Sequence, residues 1–203
     1  MIESFEHNGK VVEIDVDEDA QSPREDCDNP DVMVCFHKRM QLGDKTDYKQ
    51  RDFQSWDELE DQICKDNDIL DILPIYMYDH SGITISTTPF SCPWDSGRVG
   101  FIYITKDKAR ECCMVKRVTK KTKAWARECL LSSVKVYDQF LTNDIYGYTI
   151  KDKDTDEVLE SCWGFYGLDE VIKESKEIAE NIKDKAIKVE ENPNQLQLAL
   201  ETA

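Results

Sequence analysis

The chain has 203 residues, 40% of them hydrophobic, and its 42 acids against 26 bases give a net charge of −16. That length can bury a core without disulfide or metal staples, and eight Tyr, seven Phe and four Trp exclude general disorder. No run approaches the roughly 20 apolar residues of a membrane span, and the start, Met1-Ile2-Glu3-Ser4-Phe5-Glu6, lacks a signal peptide's basic segment and apolar run, so the expected location is the cytoplasm.

In chain order, Val11 to Val16 reads as a short strand, and the acidic run Asp17 to Asp31, with Pro23 and Pro30, reads as a loop. Val32 to Phe36 is β-branched or apolar and predicts a buried strand. Ser55-Trp56-Asp57-Glu58 has capping-box chemistry, because the Ser55 hydroxyl can accept an orphan backbone N–H while Glu58 reaches back to the cap. Trp56, Leu59 and Ile63 then share one face of a helix over 56–65. Ile72 to Tyr78, Ile83 to Thr88 and Val99 to Thr105 predict three strands, simplest as an antiparallel meander over about 72–105, with Pro74 pointing to an edge or early position.

Residues 106–141 predict helix, with a break near Thr119–Thr122 and Ala126, Leu130, Val134, Tyr137 and Phe140-Leu141 on one apolar face. A hairpin of Tyr146–Ile150 and Val158–Trp163 around Asp152–Asp156 follows, and then a helix from about Leu168 to Lys185. Hairpin connections with few crossovers predict an α+β fold, a mainly antiparallel sheet with helices on one face. It is expected as one domain over 1–189, followed by a loose tail over 190–203.

The charge is uneven. Residues 1–31 hold eleven acids against Lys10 and Arg24, a balance of −9, and residues 105–127 hold nine bases against Asp107 and Glu111, a balance of +7. An acidic surface repels nucleic acid and membranes and attracts basic proteins. It can also imitate a phosphate backbone and occupy a basic cleft; solubility alone is the plainer reading. The contact acids expected are Asp15, Asp17, Glu18 and Asp19, and on the capped helix Asp57, Glu58, Glu60 and Asp61. The stretch Lys116 to Lys123 with Trp125, within 116–125, has the composition of a phosphate-gripping segment or of an internal counterweight to the acids.

Other chemistry is sparser. The loop Pro89 to Gly97 carries Phe90, Cys92, Trp94 and Asp95, and reads either as an aromatic plug or as a site. A nucleophilic reading uses Cys92 or Ser81 with His80 as base, and Asp79 or Asp95 as an orienting carboxylate. Cys35 and His37, two apart on a strand, point to one side, so with His80 and Cys92 they could form a Cys₂His₂ zinc site if their strands were neighbours. The eight scattered cysteines, Cys27, Cys35, Cys64, Cys92, Cys112, Cys113, Cys129 and Cys162, contain no C-x-x-C pair, and most read as reduced, small apolar residues. Two calcium-like runs fail: Asp15-x-Asp17-x-Asp19 has Ala20, and Asp152-x-Asp154-x-Asp156 has Glu157, where an EF-hand loop needs glycine.

Three blocks occur together: Ser22-Pro23-Arg24-Glu25 with Met33–Arg39 and Leu42-Gly43-Asp44; Tyr78–Ile83 with Ser91–Gly97; and Ser161–Gly167. Over about residues 22–167 the set resembles a family of uncharacterised proteins of bacteriophages and other mobile elements. The resemblance implies a small cytosolic protein that blocks host machinery, a basic nucleic-acid-handling partner such as a restriction or CRISPR nuclease. It assigns no residue and no cofactor.

Overall fold

The computed structural model describes residues 1–25 and 28–182; Cys27, the tail from residue 190 and the last residues of the helix expected to reach Lys185 lie outside them. The strands are β1 (Glu3–His7), β2 (Lys10–Val16), β3 (Val32–Cys35), β4 (Ile69–Asp79), β5 (Ile83–Ser86), β6 (Ser96–Thr105), β7 (Ile145–Asp152) and β8 (Val158–Tyr166). The helices are α1 (Trp56–Asp66), α2 (Lys106–Cys112), α3 (Lys120–Leu141) and α4 (Leu168–Asn181). The fold is α+β with antiparallel pairing throughout, but the strands form two four-stranded sheets, ordered β1-β2-β7-β8 and β3-β6-β4-β5.

The second sheet corrects the expected meander. β4 and β5 form the hairpin, yet β6 pairs with the other side of β4, from Ile69↔Thr105 to Tyr78↔Ser96. The nine-residue excursion over 87–95, through Pro89–Trp94, is long enough to carry the chain across. Pro74 lies opposite Phe101 on a stretch of β4 that β5, paired only at Tyr76–Asp79, does not reach, so β4 has one neighbour there. A missing N–H is tolerated at such a place.

Helices cover both faces of this sheet, not one. Ala126, Leu130, Val134 and Tyr137 of α3 bury against Met33, Leu73, Ile75, Ile102 and Ile104. Leu59 and Ile63 of α1 bury on the opposite side against Val34, Phe101 and Tyr103. The alternation of side chains along β3 and β6 feeds both cores, which is why β6 reads as a continuous apolar run. Ser55 Oγ accepts from Glu58 N at 3.2 Å as expected, while Glu58 accepts from Gln54 N, one residue before the cap.

The helical region breaks earlier than expected, over 113–119. Thr119 and Thr122 do not interrupt a helix; they start one, as the cap and third residue of a reciprocal capping box.

β1 is absent from the sequence expectation, although Asn8-Gly9 between it and β2 is a strong hairpin signal. Both residues take positive φ, 48° and 71°. In this first sheet Val12, Ile14, Tyr148 and Ile150 face Val171 and Ala179 of α4. Residues opposite one another in the register share a face, so Glu13, Asp15, Gly147, Thr149, Ser161 and Trp163 lie on the other one. Among the described residues no helix packs on that face.

Candidate functional site

His80 and Asp95 do meet. His80 Nδ1 lies 3.2 Å from Asp95 Oδ2, and the imidazole stacks on Tyr78 at 6.1 Å, with Phe90 on Tyr78 at 5.9 Å. The loop thus plugs the sheet end through Phe90, while Trp94 stands 89% exposed at its tip. Asp79 turns away from His80 to pair with Arg39 and to lie 3.6 Å from His37 Nε2. Cys92 is held by its carbonyl, which accepts from Ser96 Oγ. Among the described residues no hydrogen bond joins His80 to the Cys92 or Ser81 side chain. The exposed His80–Asp95 pair is therefore a base without a bonded nucleophile, of a kind that adds about 0–1 kcal/mol to stability.

The proposed zinc ligands do not assemble. Among the described residues no group of three or more His, Cys, Asp or Glu side chains is placed to hold a metal ion. Cys35 is buried in the α3-side core, where burial first, and then the charge of Asp44, pushes its thiol pKa strongly up. A neutral buried thiol is neither a nucleophile nor a ready ligand. The seven described cysteines are free.

A polar cluster that sequence reasoning did not single out joins the first of the three blocks. The Arg24 guanidinium, 3% exposed, donates from Nε to Asp44 Oδ1 and from Nη1 to Asp31 Oδ1, each at 2.8 Å. Asp31, with no side-chain exposure, also accepts from Ser133 Oγ at 2.6 Å; Asp44 accepts from Met33 N at 2.8 Å. Burial works against the Arg24 charge, but the hydrogen bonds and charges of Asp44 and Asp31 outweigh it and hold the pKa above its usual value. Every strong donor and acceptor is matched internally, so the cluster ties the 17–31 loop to β3 and α3. A signal was present: a lone arginine within an acidic run demands an explanation.

The expected contact acids fall in two places. Asp57, Glu58 and Asp61 are exposed on α1, with Glu60 half-buried; Asp57 approaches Arg98 at 3.9 Å. Asp15 on β2 and Asp17, Glu18 and Asp19 just after it line an open groove of about 630 Å³ with Met1, Ile2, Val16 and Trp163. The Met1 amino group pairs with Asp15. Among the described residues Asp17, Glu18, Asp19, Glu60 and Asp61 make no ion pair. Met1, Ile2 and Trp163 remain 75%, 55% and 49% exposed, an apolar floor beneath an acidic rim. Trp163 reaches the groove by lying across Gly147: a Cβ there would come within 2.2 Å of the indole.

The basic stretch divides. Lys106, Lys108, Arg110 and Arg127 pair with Asp68, Asp28, Asp107 and Asp71. Lys116, Arg117, Lys120, Lys121 and Lys123 are exposed and, among the described residues, unpaired. Trp125 turns into the α3-side core and is not offered beside them. No helix among the described residues is long and apolar enough to cross a membrane. Comparison with protein-family models, with curated proteins and with solved structures gives no match to this chain.

Proposed function

We propose that the protein is an acidic interaction protein that binds a basic, nucleic-acid-handling protein and occupies the surface on which that partner takes DNA or RNA. The observation that carries this reading is the groove beside β2. Asp17, Glu18 and Asp19, which make no ion pair among the described residues, line it together with exposed apolar side chains. Carboxylates in this setting supply long-range attraction to a cationic surface, and the apolar floor supplies short-range area. The acids of α1 extend the negative field on the second sheet. With the resemblance to phage proteins, the reading narrows to a host defence nuclease as the partner. Affinity capture from a host lysate, eluted on a salt gradient, tests it. Recovery of one basic nucleic-acid-binding protein, released steeply as salt rises, is the expected result. Retention indifferent to ionic strength would refute it.

A second reading rests on the five cations of residues 116–123 that make no ion pair among the described residues. Lys120 and Lys121 occupy the first turn of α3, where the helix dipole opposes positive charge. A fold keeps such an arrangement at a cost, and a phosphate-bearing ligand would relieve it. A gel shift with the purified protein at low salt decides this reading, and an unshifted probe ends it.

A further inference from the structure

We infer that the groove formed by Met1, Ile2, Val16 and Trp163 is an arginine-anchor site, whose occupant is a partner segment presenting an arginine to the Trp163 indole. The inference rests on the basic-partner reading and specifies its chemistry.

The argument begins with Gly147. β7 places Gly147 directly between Asp15 on β2 and Trp163 on β8 in the cross-strand register. Any larger residue would hold the indole off the sheet, since its Cε3 lies 2.2 Å from a Cβ built on Gly147. The glycine therefore lays the ring flat across β7, one side against backbone. Half of the residue is still open. A flat indole with one covered side, next to carboxylates, is a receptor for a planar cation: the ring's negative quadrupole attracts it, and the guanidinium stacks while its edge N–H groups reach carboxylates. Asp17, Glu18 and Asp19 line the same groove and are unpaired among the described residues; Asp15 is engaged by the Met1 amino group.

Arginine and lysine are not equivalent here. An ammonium is a strongly hydrated point charge that cannot both stack and pair bidentately, so the site discriminates between them. A second copy of this chain is disfavoured as occupant, because two molecules of net charge −16 repel and the rim is itself acidic. The other occupants an apolar groove could take, a neutral peptide or an acyl chain, would leave the rim carboxylates facing nothing.

The test uses the full chain with two fluorescein-labelled 12-residue peptides, one with four arginines and one with four lysines in the same positions, followed by anisotropy at about 50 mM salt. The arginine peptide should bind about 5- to 30-fold more tightly than the lysine peptide. Trp163→Ala should remove that preference while leaving the salt dependence in place. Replacing Asp17, Glu18 and Asp19 by their amides should weaken both peptides together and flatten the salt dependence. Because Trp163 is half-exposed on an edge strand, a matched thermal melt confirms that the variant folds; Gly147→Ala, which displaces the ring, should reproduce the loss of preference. Equal binding of the two peptides to the unsubstituted protein, or a preference that survives Trp163→Ala, overturns the anchor and leaves the basic-partner reading standing. No binding of either peptide at low salt overturns both.

Discussion

Replacing Arg24 by methionine removes a cation while keeping most of the side-chain volume, so the loss reads out electrostatics rather than a cavity. In the folded protein Arg24 is 3% exposed and its guanidinium donates to Asp31 and Asp44. Without it, Asp31 is a carboxylate with no solvent contact, left with the Ser133 hydroxyl and a distant Cys129 thiol. Breaking a buried pair from one side costs about 3–5 kcal/mol, mainly as the penalty for the stranded charge. At about 2–4 °C per kcal/mol for a domain of this size, the melting temperature should fall by about 6–20 °C. Asp44 is 21% exposed, so Asp44→Asn should cost less than Arg24→Met. The double variant Arg24→Met/Asp31→Asn should recover part of the loss, because it removes the stranded charge as well. Urea unfolding of the three variants gives the ranking. An Arg24→Met loss below about 1 kcal/mol, or a double variant no better than the single, would refute the account of a buried network balanced by its cation.

Three further outcomes follow from other contacts. Asp138 Oδ1 on α3 accepts from Thr84 Oγ1 and Ile85 N, both at 2.7 Å, so Asp138→Ala should cost about 1–3 kcal/mol in urea unfolding and expose the Ile85 amide to hydrogen exchange. Lys121→Glu should stabilise by about 0.3–1 kcal/mol by reversing an unfavourable charge at the start of α3, whereas Thr119→Ala should destabilise by about 1 kcal/mol; both are read from thermal melts at low salt. Alkali should destabilise the protein. Burial and then the Asp31 charge push the Cys129 thiol from 9.0 up to about 11, and burial and then the hydrogen bond to Asp66 push the Tyr48 phenol from 10.0 up to about 12. The unfolded chain ionises these groups first, so their contribution is intact below pH 9 and is lost as pH rises through 11 and 12. Stability that stays flat over that window would contradict it.

The sequence made local structure legible wherever one residue pattern had one interpretation. Ser55 and Glu58 announced α1, and the 3–4 spacing from Ala126 to Tyr137 announced the buried face of α3. What it left open was pairing. Ile83–Ser86 and Ser96–Thr105 do not say on which side of β4 each will lie; the continuous apolar run of Ser96–Thr105, which suits a strand covered on both faces, and the long Pro89–Trp94 excursion were the hints. Hairpin logic likewise could not divide eight strands between two sheets. The candidate site was legible in part. The acids of 15–19 could be named from composition, but the apolar floor beneath them comes from Met1-Ile2 and Trp163, more than 140 residues apart. Their meeting depends on β1, which the Asn8-Gly9 turn could have revealed.

The plainest explanation of an acidic protein is solubility, and the groove separates that explanation from binding. Solubility needs charge that is spread out and apolar surface that is hidden. The fold buries its aliphatic core, with Leu59, Ile63, Ile75 and Ile102 all but inaccessible, while Trp94 and Met114 also stand exposed on loops away from the groove. Inside it fixes one cation, Arg24, between two carboxylates, and on the surface it sets Arg127 on Asp71. Beside β2 the same molecule gathers exposed carbon and charge together, leaving an indole, Ile2 and Met1 in water beside acids that, Asp15 excepted, are unpaired among the described residues. Each half of that arrangement works against the isolated chain, the exposed carbon through aggregation and the clustered charge through self-repulsion. A cationic surface with an apolar or planar side chain at its centre offsets both costs in one contact, and a surface that merely kept the protein dissolved would have no use for the glycine that lays Trp163 flat.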